Sequence, residues 1–174
     1  VQRGQGVAVG VGEPRLVDEV AEQRPVGHEG QRVLALPAGG RGELLRFGQE
    51  DVEITMFKNG ASLQLNLDAF DTPPEQVLLA IDEGTPDISW IYDVDFSALD
   101  HVDVISGAKG WQVALRLEHA GIPVHHVEPD LKKGIEIMRR MPRPGSGRKA
   151  WIVNYEQMMY ARKLVGQGDM EIAR

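Results

Sequence analysis

The chain has 174 residues, is 42% apolar and carries a formal net charge of −7. Such a length suits one domain of ordinary size with an appendage. The acidic balance fits a soluble cytoplasmic protein and argues against nucleic acid as a partner. The absence of cysteine excludes disulfides and thiolate metal sites. No apolar run approaches the roughly 20 residues of a transmembrane helix, and no signal peptide is expected.

Residues 1–46 use only Val, Ala, Asp, Glu, Gly, Leu, Pro, His, Gln and Arg, whose codons can begin with G or C. Those types make up only about 60% of ordinary protein, so a run of this length is very improbable by chance. It points either to GC-rich DNA read out of frame, with the chain a fragment, or to a low-complexity leader too poor in large apolar residues to fold. No function is placed there, and Leu16, Val17 and Val20 predict at most a turn or two of helix. A domain over 47–165 and a frayed tail over 166–174 follow.

Val52, Ile54 and Met56 alternate with polar residues and predict a strand over 52–57. Leu63, Leu67 and Phe70 share one face of a helix over 63–70, which Asp71-Thr72-Pro73-Pro74 stops. The continuous apolar run 76–81 suits a strand buried on both faces. An acidic, aromatic stretch over 82–96 comes next, then a strand over 102–105 and a helix over 111–120, with Val113, Leu117 and Ala120 toward the core and Gln112, Arg116 and His119 free to face out, closed by Gly121 and Pro123. A strand over 124–127, a helix opened by Asp130, a basic loop over 142–149, a strand over 150–153 and a helix over 155–165 complete the chain. Strands alternating with helices predict a Rossmann-like α/β fold: an open, mostly parallel five-stranded sheet with helices on both faces.

Right-handed crossovers would bring every strand's carboxyl end to one edge. The residues after the five strands are polar: Lys58-Asn59, Asp82-Glu83, Ser106-Gly107, Glu128 and Asn154-Tyr155. One ligand crevice along that edge is expected, although loop surfaces are polar anyway. Ser106 to Gly110 could seat an anion on backbone N–H groups, but its spacing matches no P-loop or dinucleotide fingerprint and a plain turn is the stronger reading. His125 and His126 point to opposite faces of a strand, so they make no joint metal site; one should pack and the other face solvent. Asp93 and Asp95 would share a face if extended and could bind Mg²⁺, though a solvated pair is the simpler reading. No metal site is assigned. Trp111 and Trp151 are expected in the core.

Taken together, Lys58-Asn59-Gly60-Ala61, the run from Asp87 to Phe96, Ser106-Gly107 with Leu115-Arg116-Leu117, and Asn154-Tyr155 resemble the C-terminal domain of MurT, the Mur-ligase-like subunit of lipid II isoglutaminyl synthase. The resemblance covers nearly three-quarters of the chain, and the acidic-aromatic run is its specific element. It implies ATP- and Mg²⁺-dependent amidation of the D-glutamate α-carboxyl in the peptidoglycan stem peptide, through an acyl phosphate. Ammonia comes from glutamine through a GatD-type amidotransferase partner that brings the Cys and His. Asp87 matches the family aspartate that completes that triad, where a carboxylate beside an imidazole fixes its tautomer. Lys58 and Asn59 match the nucleotide-facing turn. Ser89, Trp90, Asp93, Asp95, Ser106, Gly107, Asn154 and Tyr155 are expected to touch or support the site. The lipid II substrate would draw the complex to the inner face of the membrane.

The chain also departs from the family pattern. Its turn reads Lys-Asn-Gly-Ala-Ser without the family proline, the stretch before Asp87 is short, and Glu156 follows Asn154-Tyr155. There is no Walker-type Gly-Lys-Thr loop and no four-cysteine ribbon, so the chain alone should not catalyse amidation. Two rivals remain at this level: a Mur ligase relative with another acceptor, and a non-enzymatic Rossmann-like binding module.

Overall fold

The computed structural model describes residues 42–145 and 147–166. The helical turn expected near Leu16, Val17 and Val20, and the tail beyond Gly166, lie outside them. Six strands form one sheet: β1 (Gly42–Phe47), β2 (Glu50–Phe57), β3 (Gln76–Ala80), β4 (Val102–Ser106), β5 (Val124–Val127) and β6 (Lys149–Asn154). Four helices accompany them: α1 (Gly60–Asp68), α2 (Gly110–His119), α3 (Leu131–Arg140) and α4 (Tyr155–Leu164). The sheet order is β1-β2-β6-β3-β4-β5.

The sheet is mixed and six-stranded, not five-stranded. The additional strand is β1, which runs antiparallel to β2 while every other pair is parallel. It spans the expected boundary between Arg46 and Phe47. A two-residue loop joins β1 to β2, and Gly48 at φ +65° supplies the left-handed conformation such a loop needs. Leu45 and Phe47 are buried against the sheet face that holds Ile54 and Trp151. Burying each of those side chains is worth about 1.5–3 kcal/mol. That gain holds the hairpin to the domain, and it was invisible in a segment judged by composition.

Two apolar layers sandwich the sheet. On one face, α1, α2 and the loop after β3 bury Leu63, Leu67, Ile91, Phe96, Val113 and Leu117 against Val77, Leu79 and Ile105. On the other, α3 and α4 bury Leu131, Ile135, Met138, Met158 and Ala161 against Leu78, Val104 and Trp151. The alternation along β3 and β4 is the period of a strand covered on both sides.

Helix starts follow short polar side chains. Asn59 Oδ1 accepts the Ser62 N–H at 3.0 Å while Ser62 Oγ accepts the Asn59 N–H at 3.0 Å, a capping box that starts α1 three residues before Leu63. Asp130 accepts the N–H groups of Lys132 and Lys133 to open α3. Gly121 at φ +75° ends α2.

Three packing expectations are overturned. Trp151 is fully buried, edge-on to Phe47 at 5.0 Å, but Trp111 is 66% exposed because it sits on the outer side of α2. His125 and His126 are both exposed, since β5 is an edge strand with no neighbour beyond it among the described residues. Arg116 does not face outward: it turns inward to the loop after β3.

Candidate site at the carboxyl edge of the sheet

The five parallel strands end at one edge, and the chain leaves them toward different faces. After β3 it packs with α1 and α2; after β6 it enters α4 on the opposite side. Between β3 and β6 the winding therefore reverses, which is where open α/β sheets form ligand crevices.

Both sides of that switch point are polar and mutually bonded. Asn154 caps α4 through the Gln157 N–H at 3.4 Å, and its Nδ2 donates to Thr85 Oγ1 at 3.3 Å and to Glu156 Oε2 at 3.0 Å. Gln157 Nε2 donates to Asp82 Oδ2 at 2.7 Å. Gly84 packs close to the Glu156 carboxylate, which a Cβ there would displace. Lys109 Nζ pairs with Glu83 at 3.4 Å. Asn154 is thus buried and structural, whereas Tyr155 is exposed at the rim.

Ser106 and Gly107 are also committed to the fold. Ser106 is fully buried, and a Cβ on Gly134 of α3 would come 2.3 Å from its Oγ. Gly107 adopts φ +90°, and a Cβ there would fall 2.1 Å from the Ile81 carbonyl oxygen. The N–H groups of Gly107, Lys109 and Gly110 donate to Pro129, Ile81 and Gly107 carbonyls at 3.0, 3.1 and 3.0 Å. Those three donors are consumed, which favours the plain-turn reading over an anion seat.

The acidic-aromatic stretch folds into a 3₁₀ turn over Ser89–Asp93 followed by extended chain. Asp87 is exposed, and its Oδ1 accepts the Ser89 N–H at 2.8 Å. That backbone bond, with a lesser one from the Ser89 hydroxyl, holds the Asp87 carboxyl below the ordinary aspartate value. A shallow hollow of 260 Å³ beside it is lined by Ser89, Tyr92 and Gln112 among others. Trp90 turns the other way, edge-on to Phe57 at 6.0 Å, with its ring over Gly60. It ties the stretch to the start of α1.

Asp93 closes the 3₁₀ turn, so Asp93 and Asp95 do not lie on one extended run. Asp95 serves the loop itself: its Oδ1 accepts the Ser97 N–H at 2.9 Å, which lowers its pKa. Its backbone is held by Gln64 at 2.8 and 3.2 Å. Arg116 completes the anchoring. Its Nε donates to the Ile91 carbonyl at 3.1 Å and its Nη2 to the Val94 carbonyl at 2.9 Å, with the guanidinium 5.6 Å from the Phe96 ring. Gln64, Thr85 and Gln157 gave no motif signal; they act through pairings 31, 69 and 75 residues apart.

At the β2 exit Lys58 is exposed and has no ion-pair partner among the described residues. The Asn59 side-chain oxygen is engaged in the α1 cap.

A doubly wound α/β sheet with an anchored acidic loop at its carboxyl edge defines a Rossmann-like domain. Residues 56–158 match the family described as MurT ligase C-terminal, and the chain belongs to that family. The match takes in every site residue from Lys58 to Tyr155. No curated protein matches the chain. Among the described residues, no helix is long and apolar enough to cross a membrane.

Proposed function

We propose that this domain docks a GatD-type glutamine amidotransferase and supplies Asp87 to that partner's Cys–His pair. The complex would carry out ATP-dependent amidation of D-glutamate in lipid II, at the inner face of the membrane where that substrate is anchored. The observation that carries the reading is Asp87 itself. It is solvent-facing, kept ionised, and fixed in direction by the Ser89 N–H. No basic side chain pairs with it among the described residues. A charged, oriented and unpaired carboxylate is what a histidine on another subunit needs to hold its tautomer and to stabilise its imidazolium.

For the nucleotide, Lys58 is the group on this chain suited to meet a phosphate oxygen. Asn59 holds the turn through its side-chain oxygen, and its amide NH2 would be the group that faces the nucleotide. ATP with its Mg²⁺ would supply the activating phosphoryl group, and no Mg²⁺ ligand is assigned to these residues.

The test is glutamine hydrolysis by the GatD-type subunit, measured with and without this chain and with Asp87→Asn. Asparagine keeps the turn acceptor, so the loop should stay folded. Stimulation by the native chain, lost in Asp87→Asn with binding retained, supports the proposal. Equal stimulation by both, or no association, overturns it.

A further inference from the structure

We propose that His101, Asp103 and His125 form a divalent transition-metal site, suited to Zn²⁺, at the amino-terminal edge of the sheet. Asp103 lies on β4, His125 on the adjacent β5, and His101 immediately before β4. His101 and Asp103 are two apart, so strand pleating sends them to the same face. In the parallel register Val102 pairs with Val124 and Val104 with His126, which places His125 beside Asp103 on that face. His126 belongs to the opposite face, so the neighbouring histidines never combine; the second imidazole arrives from before β4 instead.

The spacing of the three groups allows a shared metal ion as well as a pair of long hydrogen bonds. His101 Nε2 lies 3.3 Å from Asp103 Oδ2, and His125 Nδ1 lies 3.2 Å from Asp103 Oδ1. These are at or beyond the long end of N–H···O bonding. A tetrahedron whose ligands stand about 2.0–2.1 Å from its centre has edges of roughly 3.3–3.4 Å, and each imidazole nitrogen lies close to that distance from one of the two carboxylate oxygens. The three ligand atoms all lie within 4.8 Å of one another. The two rings are stacked with centroids 5.2 Å apart, and His125 is exposed on the edge strand.

The support around the site is that of a built one. Asp103 is 2% exposed, yet it is a carboxylate on a buried strand. Its Oδ2 accepts the Val77 N–H at 2.8 Å, a bond from β3 that fixes the carboxylate in direction. Such outer-shell donors orient metal ligands. His101 and His125 side chains are 25% and 52% exposed, so an ion can reach the cluster from solvent. Two imidazoles and one carboxylate leave a fourth tetrahedral position for water. The site lies at the other end of the strands from Asp87. Its effect would be to cross-link the edge strand β5 to β4.

The experiment uses the full chain, stripped with a chelator and titrated with Zn²⁺ by calorimetry and with Co²⁺ by visible absorption. His125→Gln, His101→Gln and the double variant are run alongside, with circular dichroism to confirm folding. The expected result is one equivalent of Zn²⁺, a tetrahedral Co²⁺ spectrum, a raised Tm with Zn²⁺, and at least about tenfold weaker binding in each single variant. His125 is exposed on an edge strand, so its variant should fold even if His101→Gln does not. No binding by the native chain, or equal binding by His125→Gln, overturns the proposal.

Discussion

Replacing Arg116 with Met tests how the acidic-aromatic loop is held. Methionine keeps the aliphatic stem against α2 but removes both donors, those at 3.1 Å to Ile91 and 2.9 Å to Val94. Hydrogen bonds from a charged group contribute about 1.5–3 kcal/mol each. Arg116 is half-buried, so the lower end applies and water recovers part of the loss at the freed carbonyls. The expected cost is about 2–3 kcal/mol. For a domain of this size each kcal/mol moves Tm by roughly 3–6 °C, giving a fall of about 6–18 °C. Urea denaturation followed by circular dichroism measures the cost, and tryptophan fluorescence follows displacement of Trp90. Arg116→Lys retains charge but cannot reach both carbonyls with one fork, so it should recover less than half of the loss. A cost under about 0.5 kcal/mol with unchanged fluorescence would refute the anchoring argument, because the loop would then be held by Ile91, Val94 and Phe96 alone.

Asn59→Ala removes the α1 cap and should cost about 1 kcal/mol in urea titration, with Asn59→Asp close to native. Gly107→Ala should be far more damaging than Gly121→Ala: both sit at positive φ, but only at Gly107 would the new Cβ meet a carbonyl, at 2.1 Å. The Gly121 change should cost about 1–2 kcal/mol from backbone strain alone, while Gly107→Ala should yield little folded protein; similar Tm values for the two would count against the close approach to Ile81. Acid should loosen the loop. Asp87 and Asp95 have folded values lowered by the Ser89 and Ser97 N–H groups, so their stabilising effect is complete above about pH 4 and is lost as pH falls through the lowered values. Tryptophan fluorescence should hold from pH 7 to about 5 and change below about 4, with a weaker change in Asp95→Asn.

Much of the candidate site was legible in local chemistry. Polar residues just past apolar strands marked the exits, and Asp130 marked the start of α3, whereas the caps made by Asn59 and Asn154 came from the structure. The spacing of Asp87 and Ser89 is that of a side chain bonding the N–H two residues on. The partners that hold these residues were not legible. Ser106 and Gly107 read as touching or supporting the site, and only the tertiary structure reveals the close approach of α3 and of the Ile81 carbonyl to them.

Sequence alone determined the alternation of elements, the burial of β3 on both faces and the acidic-aromatic loop, because apolar periodicity and turn chemistry act over a few residues. The tertiary structure decided the rest. It recruited β1 into the sheet through Leu45 and Phe47, left Trp111 on the outer side of α2, and turned Arg116 inward over distances of 25 and 22 residues. It also brought His125 to Asp103 across 22 residues of chain. Strand order and register settle such meetings, and they come from pairing between segments that no local pattern records.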